Sequence, residues 1–298
     1  MMNKEKQIEN LIEDLDGKII VVKYGGAAMK SSALRNCVIK DIITLRESGA
    51  DVVIVHGGGP EITALQQQLN IETRFVDGLR YTDIQTIDAA IMALCGKVNK
   101  EIVRLLEKDG QRAAGLSGID GSIICCRKQK DPDLGYVGEI TKIRKELLLI
   151  LLIGGIMPVI STVGIGDDGL AYNINADTAA GRIAAALGAD YFITISDVPG
   201  VLQDVNDARS LIIEMDEDEA EGLIESGVIS GGMIPKIRGI TDAVGRGAKS
   251  ASIIDGRVPH SLLFALSERV ASERGDALGG RAKFVGTTII GRKREQDE

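Results

Sequence analysis

The sequence predicts an α/β fold, a three-layer α/β/α sandwich in which helices cover both faces of a mainly parallel open sheet. Short apolar runs rich in Val and Ile alternate with longer helical patterns, the order typical of parallel strands joined by crossover helices. The runs are apolar throughout, as strands are when both faces of a sheet are buried. Thirty-six glycines against six prolines indicate many tight turns between these elements.

Six apolar runs are predicted as strands, in chain order. They are KIIVVKY at 18–24, DVVIVH at 51–56, SIICC at 122–126, IMPVIS at 156–161, DYFITIS at 190–196 and SASIID at 250–255. The stretch LLLILLIGG at 147–155 predicts the end of a buried helix ahead of the fourth strand. Because ligands of such sheets bind beyond the carboxyl ends of the strands, the residues after each run are the candidate site.

The chain is predicted to form one continuous domain with two lobes, at 18–188 and 189–298, because no low-complexity linker divides it. Residues 1–17 are predicted as a separate amphipathic helix. Its apolar side consists of Ile8, Leu11, Ile12 and Leu15. This helix packs either on its own domain or on a partner subunit.

Composition and charge exclude several classes of function. A net charge of -8 argues against nucleic-acid binding through a general basic surface. No run of 18 apolar residues is available to span a membrane, and the N-terminus is too charged for a signal peptide. The cysteines Cys37, Cys95, Cys125 and Cys126 have no C-x-x-C spacing, which favours the reducing cytoplasm.

Glycine turns lie next to two lysines and follow two of the predicted strands. Lys23 is followed by Gly25 and Gly26, and a Gly-Gly pair also precedes Lys236. After the second strand, HGGGPEI leads through Pro60 into a helix. The apolar face of that helix is predicted to consist of Ile62, Leu65 and Leu69.

The two lysines, more than 200 residues apart, suit phosphoryl transfer if they converge on one anionic group. A Gly-Gly pair after a strand can equally be no more than a tight turn. The chain has neither the P-loop pattern nor the H-R-D and D-F-G motifs of protein kinases. HGGG resembles the oxyanion-hole string of esterases, but no G-x-S-x-G nucleophile motif accompanies it.

Histidine is scarce, with only His56 and His260 in the chain. A carboxylate acceptor needs no general base at neutral pH because it carries no proton, so a carboxylate substrate fits this sequence. We expect His56 to hydrogen-bond the turn that follows it.

Nine motifs occur in order and at the spacing of the amino acid kinase family, and among its members the chain most resembles the acetylglutamate kinases. The motifs are VVKYGGAAM, VIVHGGGPEI, GLRYTD, GKVNKEIV, GLSGIDG, LGYVGEI, YNINADTAA, SDVPGV and GGMIPK. The resemblance implies transfer of the γ-phosphoryl of MgATP to the side-chain carboxylate of N-acetyl-L-glutamate, the second step of arginine biosynthesis. It also implies that the N-terminal lobe holds the amino acid and the C-terminal lobe holds ATP.

The resemblance also implies roles for particular residues. Lys23 and Lys236 correspond to the lysines that stabilise the transition state, and Asp177 to the residue that holds them, although Asp177 can equally cap the following helix. Substrate-binding positions are Gly58, Gly59, Arg80, Asn173 and Asn175, of which either asparagine can instead cap a turn. Nucleotide-binding positions are Gly25, Gly26, Ser196, Asp197, Val198, Pro199, Gly200, Val201, Leu202, Gly231, Gly232 and Met233. Mg²⁺ is expected on the nucleotide phosphates, with no metal ligands from the protein.

Partners are implied in the same way. Family members with an N-terminal helix resemble one another in forming hexamers of three dimers that arginine inhibits, whereas members without it are uninhibited dimers. Three features depart from the family pattern: Ala27 replaces serine, Ile119 replaces lysine, and the segment before GTTII is long. Two alternatives stay open, namely an N-acetyl-aminoadipate kinase of the same fold and a regulatory homologue without catalysis.

Overall fold

A computed structural model of the protein describes residues 15–25, 31–76, 78–275 and 286–291. The chain divides into two compact units. The first unit combines the residues up to Val52 with those from Leu187 onward, and the second is Val53–Ala186. The predicted lobe boundaries at 18–188 and 189–298 stay a prediction.

The first unit contains strands and helices from both ends of the chain. Its strands are β1 (Ile19–Tyr24), β11 (Tyr191–Ser196), β12 (Val201–Leu202), β13 (Leu211–Ile212), β14 (Glu214–Met215), β15 (Ser250–Asp255) and β16 (Gly286–Ile290). Its helices are α1 (Ser32–Glu47), α7 (Glu217–Glu225), α8 (Met233–Gly245) and α9 (Ser261–Arg274), with a short 3-10 turn at Ala208–Ser210.

Five of these strands form a mostly parallel sheet in the order β14, β16, β15, β11, β1. The pairs β1 with β11, β11 with β15 and β14 with β16 are parallel, and β15 pairs antiparallel with β16. Every residue of β11 and β15 is buried. Both faces of these central strands are therefore covered, as their uninterrupted apolar sequences predict.

The second unit holds the remaining elements, and β2 enters it from the first. Its strands are β2 (Asp51–His56), β3 (Phe75–Val76), β4 (Leu79–Arg80), β5 (Ala113–Ser117), β6 (Ile124–Lys128), β7 (Gly138–Ile143), β8 (Met157–Ser161), β9 (Val163–Gly166) and β10 (Ala171–Asn173). Its helices are α2 (Gly59–Gln68), α3 (Ile84–Ile91), α4 (Asn99–Lys108), α5 (Glu146–Ile153) and α6 (Ala176–Leu187), with a π-helical segment at Met92–Val98 and a 3-10 turn at Asp120–Ser122.

Two larger sheets organise this second unit, in addition to the antiparallel pair of β3 and β4. Strands β2, β8 and β5 are consecutive and parallel. A four-stranded mixed sheet has the order β10, β9, β6, β7. The predicted α/β class with a large, mostly parallel sheet is therefore confirmed.

Local sequence signals account for several helix boundaries. The Ser31 side chain accepts a hydrogen bond from the Leu34 N–H at the start of α1. At the start of α7, Asp216 and Glu219 form a reciprocal capping box. Helix α2 opens with Pro60 in its first turn, as predicted.

The structure also corrects parts of the sequence prediction. Strand β5 was not predicted, because AAGLS contains no Val or Ile run, and the SIICC strand lies in the mixed sheet as β6. In helix α5, Ile150 is 65% exposed and Ile153, the last residue, is 88% exposed, so this helix is not buried throughout. Leu69 follows the last residue of α2 and is exposed, so the predicted apolar face of α2 was wrong at that position.

Two further predictions concern residues outside the described ranges. Most of the predicted N-terminal helix and the long segment before β16 lie there; of the apolar side, only Leu15 is described, and it is fully buried. Among the described helices, none combines the length and the apolar character needed to cross a membrane.

Candidate active site

Two neighbouring strand ends carry the lysine site of the first unit. Strands β1 and β11 are parallel, with Lys23 in register with Thr194, so Ser196 lies at the same edge of the sheet as Lys23. The Lys23 Nζ lies 3.5 Å from the point that a Cβ would occupy at Gly25. The ammonium therefore lies beside Gly25, where a side chain would otherwise begin, and in such an arrangement a cation and peptide N–H groups can approach the same anion.

Lys236 is held at this edge by residues that follow β11. Its Nζ donates to the Ser196 Oγ at 2.7 Å and lies 3.2 Å from an Asp197 carboxylate oxygen. Lys236 belongs to the first turn of α8, directly after Gly231 and Gly232. The motifs SDVPGV and GGMIPK, separated along the chain, are thus joined in the folded protein by the contacts of Lys236 with Ser196 and Asp197.

The loop after β11 is held by a residue that the sequence analysis missed. Thr287, fully buried on β16, accepts a hydrogen bond from the Val201 N–H at 2.8 Å and donates to the Ile212 carbonyl at 2.6 Å. Gly200 has a φ of +126°, and a Cβ there would come within 2.6 Å of the Thr287 Oγ1. Only glycine fits this turn, so the predicted segment Ser196 to Leu202 has a defined shape.

The glycine turn of the second unit packs tightly against the π-helical segment. Gly58 caps the N-terminus of α2, and a Cβ there would lie 2.7 Å from Leu94 Cδ2 and 3.2 Å from Val98 Cγ2. A Cβ at Gly59 would meet no atom within 4 Å. The two predicted substrate-binding glycines therefore differ in their steric surroundings.

His56 is a structural residue of this turn, as predicted. Its Nδ1 lies 2.9 Å from the Gly57 carbonyl oxygen, and its Nε2 lies 3.1 Å from Asn99 Nδ2. Because the Gly57 carbonyl can only accept, the ring donates from Nδ1, and its Nε2 is an acceptor that faces the Asn99 amide. Burial lowers the pKa of His56 to about 4, so the ring is neutral at physiological pH.

Asn99 holds that histidine and was quoted in the motif GKVNKEIV without a role. Its Nδ2 also lies 3.1 Å and 2.9 Å from the carbonyl oxygens of Leu116 and Val159, on β5 and β8. The side chain is fully buried. This contact ties the glycine turn to the sheet of the second unit.

Arg80 is mostly buried at the end of β4, with its guanidinium directed at α2. Its Nη2 donates to the Gly59 carbonyl at 3.0 Å and to the Thr63 Oγ1 at 2.7 Å, and its Nη1 donates to the Gln66 Oε1. The Phe75 ring centroid lies 4.8 Å from the Arg80 Cζ. Burial lowers the pKa of Arg80 from its usual value, which for arginine leaves the charge in place.

The polar segment before α6 contains the remaining predicted residues. Asn173 Nδ2 lies 3.4 Å from the Thr82 Oγ1. The Asn175 Oδ1 accepts from the Thr178 N–H at 3.0 Å and from its hydroxyl at 3.3 Å, so Asn175 caps α6. Asp177 lies inside the first turn of α6 instead of capping it.

Some predicted positions remain outside this description. Gly26 and Ala27 lie outside the described residues, whereas Ile119 packs against a buried cluster that includes Leu94 and Val163. In the described part of the chain, no group of three His, Cys, Asp or Glu side chains is arranged to hold a metal.

Comparison with known proteins agrees with this architecture. The model of the amino acid kinase family matches residues 18–255. The acetylglutamate kinase of Clostridioides difficile (strain 630) is 47% identical over 271 residues, 89% of this chain and 95% of that protein. The acetylglutamate kinase of Nostoc sp. (strain PCC 7120) is 48% identical over 280 residues, 94% of this chain and 90% of that protein.

A solved structure shares the fold at lower identity. It is the carbamate kinase from Giardia lamblia bound to AMP-PNP, with a TM-score of 0.64, 16% identity, and coverage of 93% of this chain and 99% of that chain. The family match over most of the sequence, together with relatives at 47% and 48% identity over nearly their full length, makes this chain a member of the amino acid kinase family, among the acetylglutamate kinases.

Proposed function

We propose that the protein transfers the γ-phosphoryl of MgATP to the side-chain carboxylate of N-acetyl-L-glutamate. A carboxylate oxygen forms a bond to the γ-phosphorus, the bond to the β,γ-bridging oxygen breaks, and ADP and N-acetyl-L-glutamyl 5-phosphate are released. The observation that carries this proposal is the near-full-length similarity to acetylglutamate kinases. In this chain the motifs that carry the resemblance contain both lysines and Arg80. The reaction is the second step of arginine biosynthesis.

The lysines supply the electrostatic part of this mechanism. Charge spreads over the phosphoryl oxygens in the transition state, and preorganised cations lower its energy. Lys236 is preorganised by Ser196 and Asp197, and Lys23 lies over Gly25. We assign both lysines to transition-state stabilisation, and we assign Asp177 to holding them in position.

No general base is required in this scheme. The acceptor carboxylate is ionised at neutral pH, so no proton has to be removed before it attacks. His56 is unsuited to that role in any case, because both of its ring nitrogens are engaged and the residue is fully buried. The site thus relies on positioning and charge.

Nucleotide binding is proposed in the first unit and amino-acid binding in the second. The segments Ser196 to Leu202 and Gly231 to Met233, with Gly25 and Gly26, are the proposed ATP contacts. Gly58, Gly59, Arg80, Asn173 and Asn175 are the proposed contacts of the amino acid, with Arg80 on its α-carboxylate. An arginine suits that task because its planar guanidinium pairs with carboxylates in a defined geometry.

Mg²⁺ is proposed to enter as part of the substrate MgATP. Phosphate oxygens and water are ligands that this ion prefers, and it commonly makes few contacts to protein. The described residues contain no cluster of acidic side chains or histidines of the kind a resident metal needs. On the ligand preferences of this ion, we assign the Mg²⁺ requirement of turnover to the nucleotide.

The decisive experiment is ATP-dependent hydroxamate formation in the presence of hydroxylamine, which traps an acyl phosphate. N-acetylglutamate, N-acetyl-aminoadipate and free glutamate are compared, each with and without Mg²⁺. We expect N-acetylglutamate to have the highest kcat/KM and Mg²⁺ to be required. A preference for N-acetyl-aminoadipate supports that alternative, and no hydroxamate with any acceptor supports a regulatory homologue.

Assembly, regulation and location complete the proposal. We propose a homo-oligomer, either a dimer or a hexamer of three dimers, in which residues 1–17 contribute to subunit contacts and arginine is an inhibitor. A cytoplasmic location is supported by the four cysteines, all of which are free thiols. Arginine titration of the hydroxamate assay tests the effector separately from assembly.

A further inference from the structure

Helix α2 carries three consecutive glutamines, Gln66, Gln67 and Gln68, and the first differs from the other two in its burial. Gln66 has no exposed surface, whereas Gln67 and Gln68 are exposed. Gln66 lies one turn after the buried Ile62, on the inward face of the helix. A buried glutamine needs partners for its amide oxygen and nitrogen, since an unpaired amide in the interior is costly.

All of those partners are present around Gln66. Its Oε1 accepts from the Arg80 Nη1 and from the Thr73 Oγ1 at 3.2 Å. Its Nε2 donates to the Thr86 Oγ1 at 3.0 Å and to the Glu72 carbonyl at 3.3 Å. The orientation of the amide is therefore set by chemistry, because a guanidinium can only donate and a backbone carbonyl can only accept.

Among the described residues, every partner of the Arg80 guanidinium is electrically neutral. They are the Gln66 amide oxygen, the Gly59 carbonyl, the Thr63 hydroxyl and the Phe75 ring. Within the described residues, no carboxylate lies at ion-pair distance from Arg80. Among these described residues the guanidinium is therefore held in one orientation without a counterion, which leaves its positive charge available to an anionic ligand.

We propose that Gln66 is a positioning residue that sets the affinity for the amino-acid substrate by holding Arg80 through a neutral acceptor. This inference rests on the proposed function, specifically on Arg80 binding the α-carboxylate of the N-acylated amino acid. Glutamine provides an acceptor without charge. A glutamate of nearly the same shape would accept the same hydrogen bonds, but it would neutralise the guanidinium and repel the incoming carboxylate.

The test compares Gln66→Glu with Gln66→Met, using Gln67→Glu and Gln67→Met as matched controls on the exposed side of the same helix. KM and kcat are measured for N-acetylglutamate and for ATP. We expect Gln66→Glu to raise KM for N-acetylglutamate about tenfold or more, which corresponds to about 1.4 kcal/mol, with KM for ATP unchanged within about twofold. Gln66→Met should raise KM for N-acetylglutamate by a smaller factor. In the Gln67 variants this KM should stay within about twofold of its value in the unmodified protein.

The order of the two Gln66 variants separates the need for a neutral acceptor beside Arg80 from structural support alone. Gln66→Met deletes all four hydrogen bonds, whereas Gln66→Glu keeps acceptors for Arg80 and Thr73. If Gln66 served only to support the fold, the methionine variant would be the more damaged and KM for both substrates would change together. The inference is overturned if KM for N-acetylglutamate rises as much in Gln66→Met as in Gln66→Glu, or more.

Two further measurements complete the design. The rise in thermal unfolding temperature caused by N-acetylglutamate reports binding without turnover. At the same ligand concentration it should be smaller in Gln66→Glu than in the unmodified protein, and unchanged in Gln67→Glu. In an Arg80→Ala background, Gln66→Glu should cause no additional rise in KM. If Arg80→Ala alone leaves KM for N-acetylglutamate unchanged, the proposed substrate role of Arg80 fails; if Arg80→Ala raises it and Gln66→Glu does not, only the present inference fails.

Discussion

Lys236 illustrates how single residues depend on partners far away in sequence. Its ammonium is held by Ser196 and Asp197, 40 and 39 residues earlier in the chain. We expect Lys236→Ala to lower kcat by about 10²-fold or more, the effect typical of losing one preorganised transition-state contact. Hydroxamate formation under saturating substrates measures this change.

Arg238 provides the control for Lys236. It lies two residues further along α8, is largely exposed and pairs with Glu221 at 2.9 Å. Arg238→Ala removes a positive charge from the same helix and should leave kcat within about twofold, since exposed ion pairs contribute little. Equal losses in the two variants would contradict the role assigned to Lys236.

The lowered pKa of His56 predicts that the stability of the protein depends on pH. Burial lowers its pKa from 6.5 to about 4, so between these values the unfolded chain binds a proton that the folded protein excludes. The free energy of unfolding should therefore fall as pH falls through this interval, by at most about 3 kcal/mol. His56→Gln cannot titrate, so the stability difference between the two proteins should shrink between pH 7 and pH 4.5 when both are unfolded in urea.

Asp41 contributes to the pH dependence of stability with the opposite sign. For this reason the stability of the unmodified protein is measured relative to that of His56→Gln. Burial raises its pKa to about 6 despite the hydrogen bond from His260, 2.6 Å away. The folded protein therefore keeps a proton on Asp41 that the unfolded chain releases above 3.8, so this contribution to stability is lost as pH rises toward 6. Both proteins contain Asp41, so its contribution cancels. Parallel stability curves would refute the account of His56.

At the scale of elements, the glycine turn before α2 has room for added volume at Gly59 but not at Gly58. We expect Gly58→Ala to destabilise the protein by about 1–3 kcal/mol, because its methyl group would overlap Leu94 in a filled cluster. Gly59→Ala, for which no atom lies within 4 Å, should change stability by no more than about 0.5 kcal/mol. Chemical denaturation of the two variants provides the comparison, and similar midpoints would contradict the packing argument.

At the scale of the whole molecule, the N-terminal segment is expected to determine the size of the assembly. Its apolar stripe is too short for a stable isolated helix and must pack on something. Deleting residues 1–14 keeps Leu15, which is fully buried. We expect light scattering to show a smaller mass for the truncated protein, with hydroxamate activity retained as the control for folding. An unchanged mass would show that this segment does not hold subunits together.

The sequence by itself determined the features that depend on local pattern. The Val and Ile runs predicted β1, β2, β8, β11 and β15 because buried strands require uninterrupted apolar residues. The SIICC run predicted β6, although that strand ends in the exposed residues Arg127 and Lys128. Motif order predicted the family, and the strand-end position of His56 predicted its hydrogen bond to the following turn. These features depend on residues that are near one another in the chain.

Only the tertiary structure decided which side chains act together. The sequence QQQ does not reveal that Gln66 reaches Arg80 while Gln67 faces solvent, nor that Lys236 is held by Ser196. The tertiary structure likewise determined that β6 belongs to the mixed sheet and that Thr287 supports the Gly200 turn. Such contacts join residues 14 to 86 positions apart, and their partners are selected by strand order and helix packing, which no local window of sequence contains.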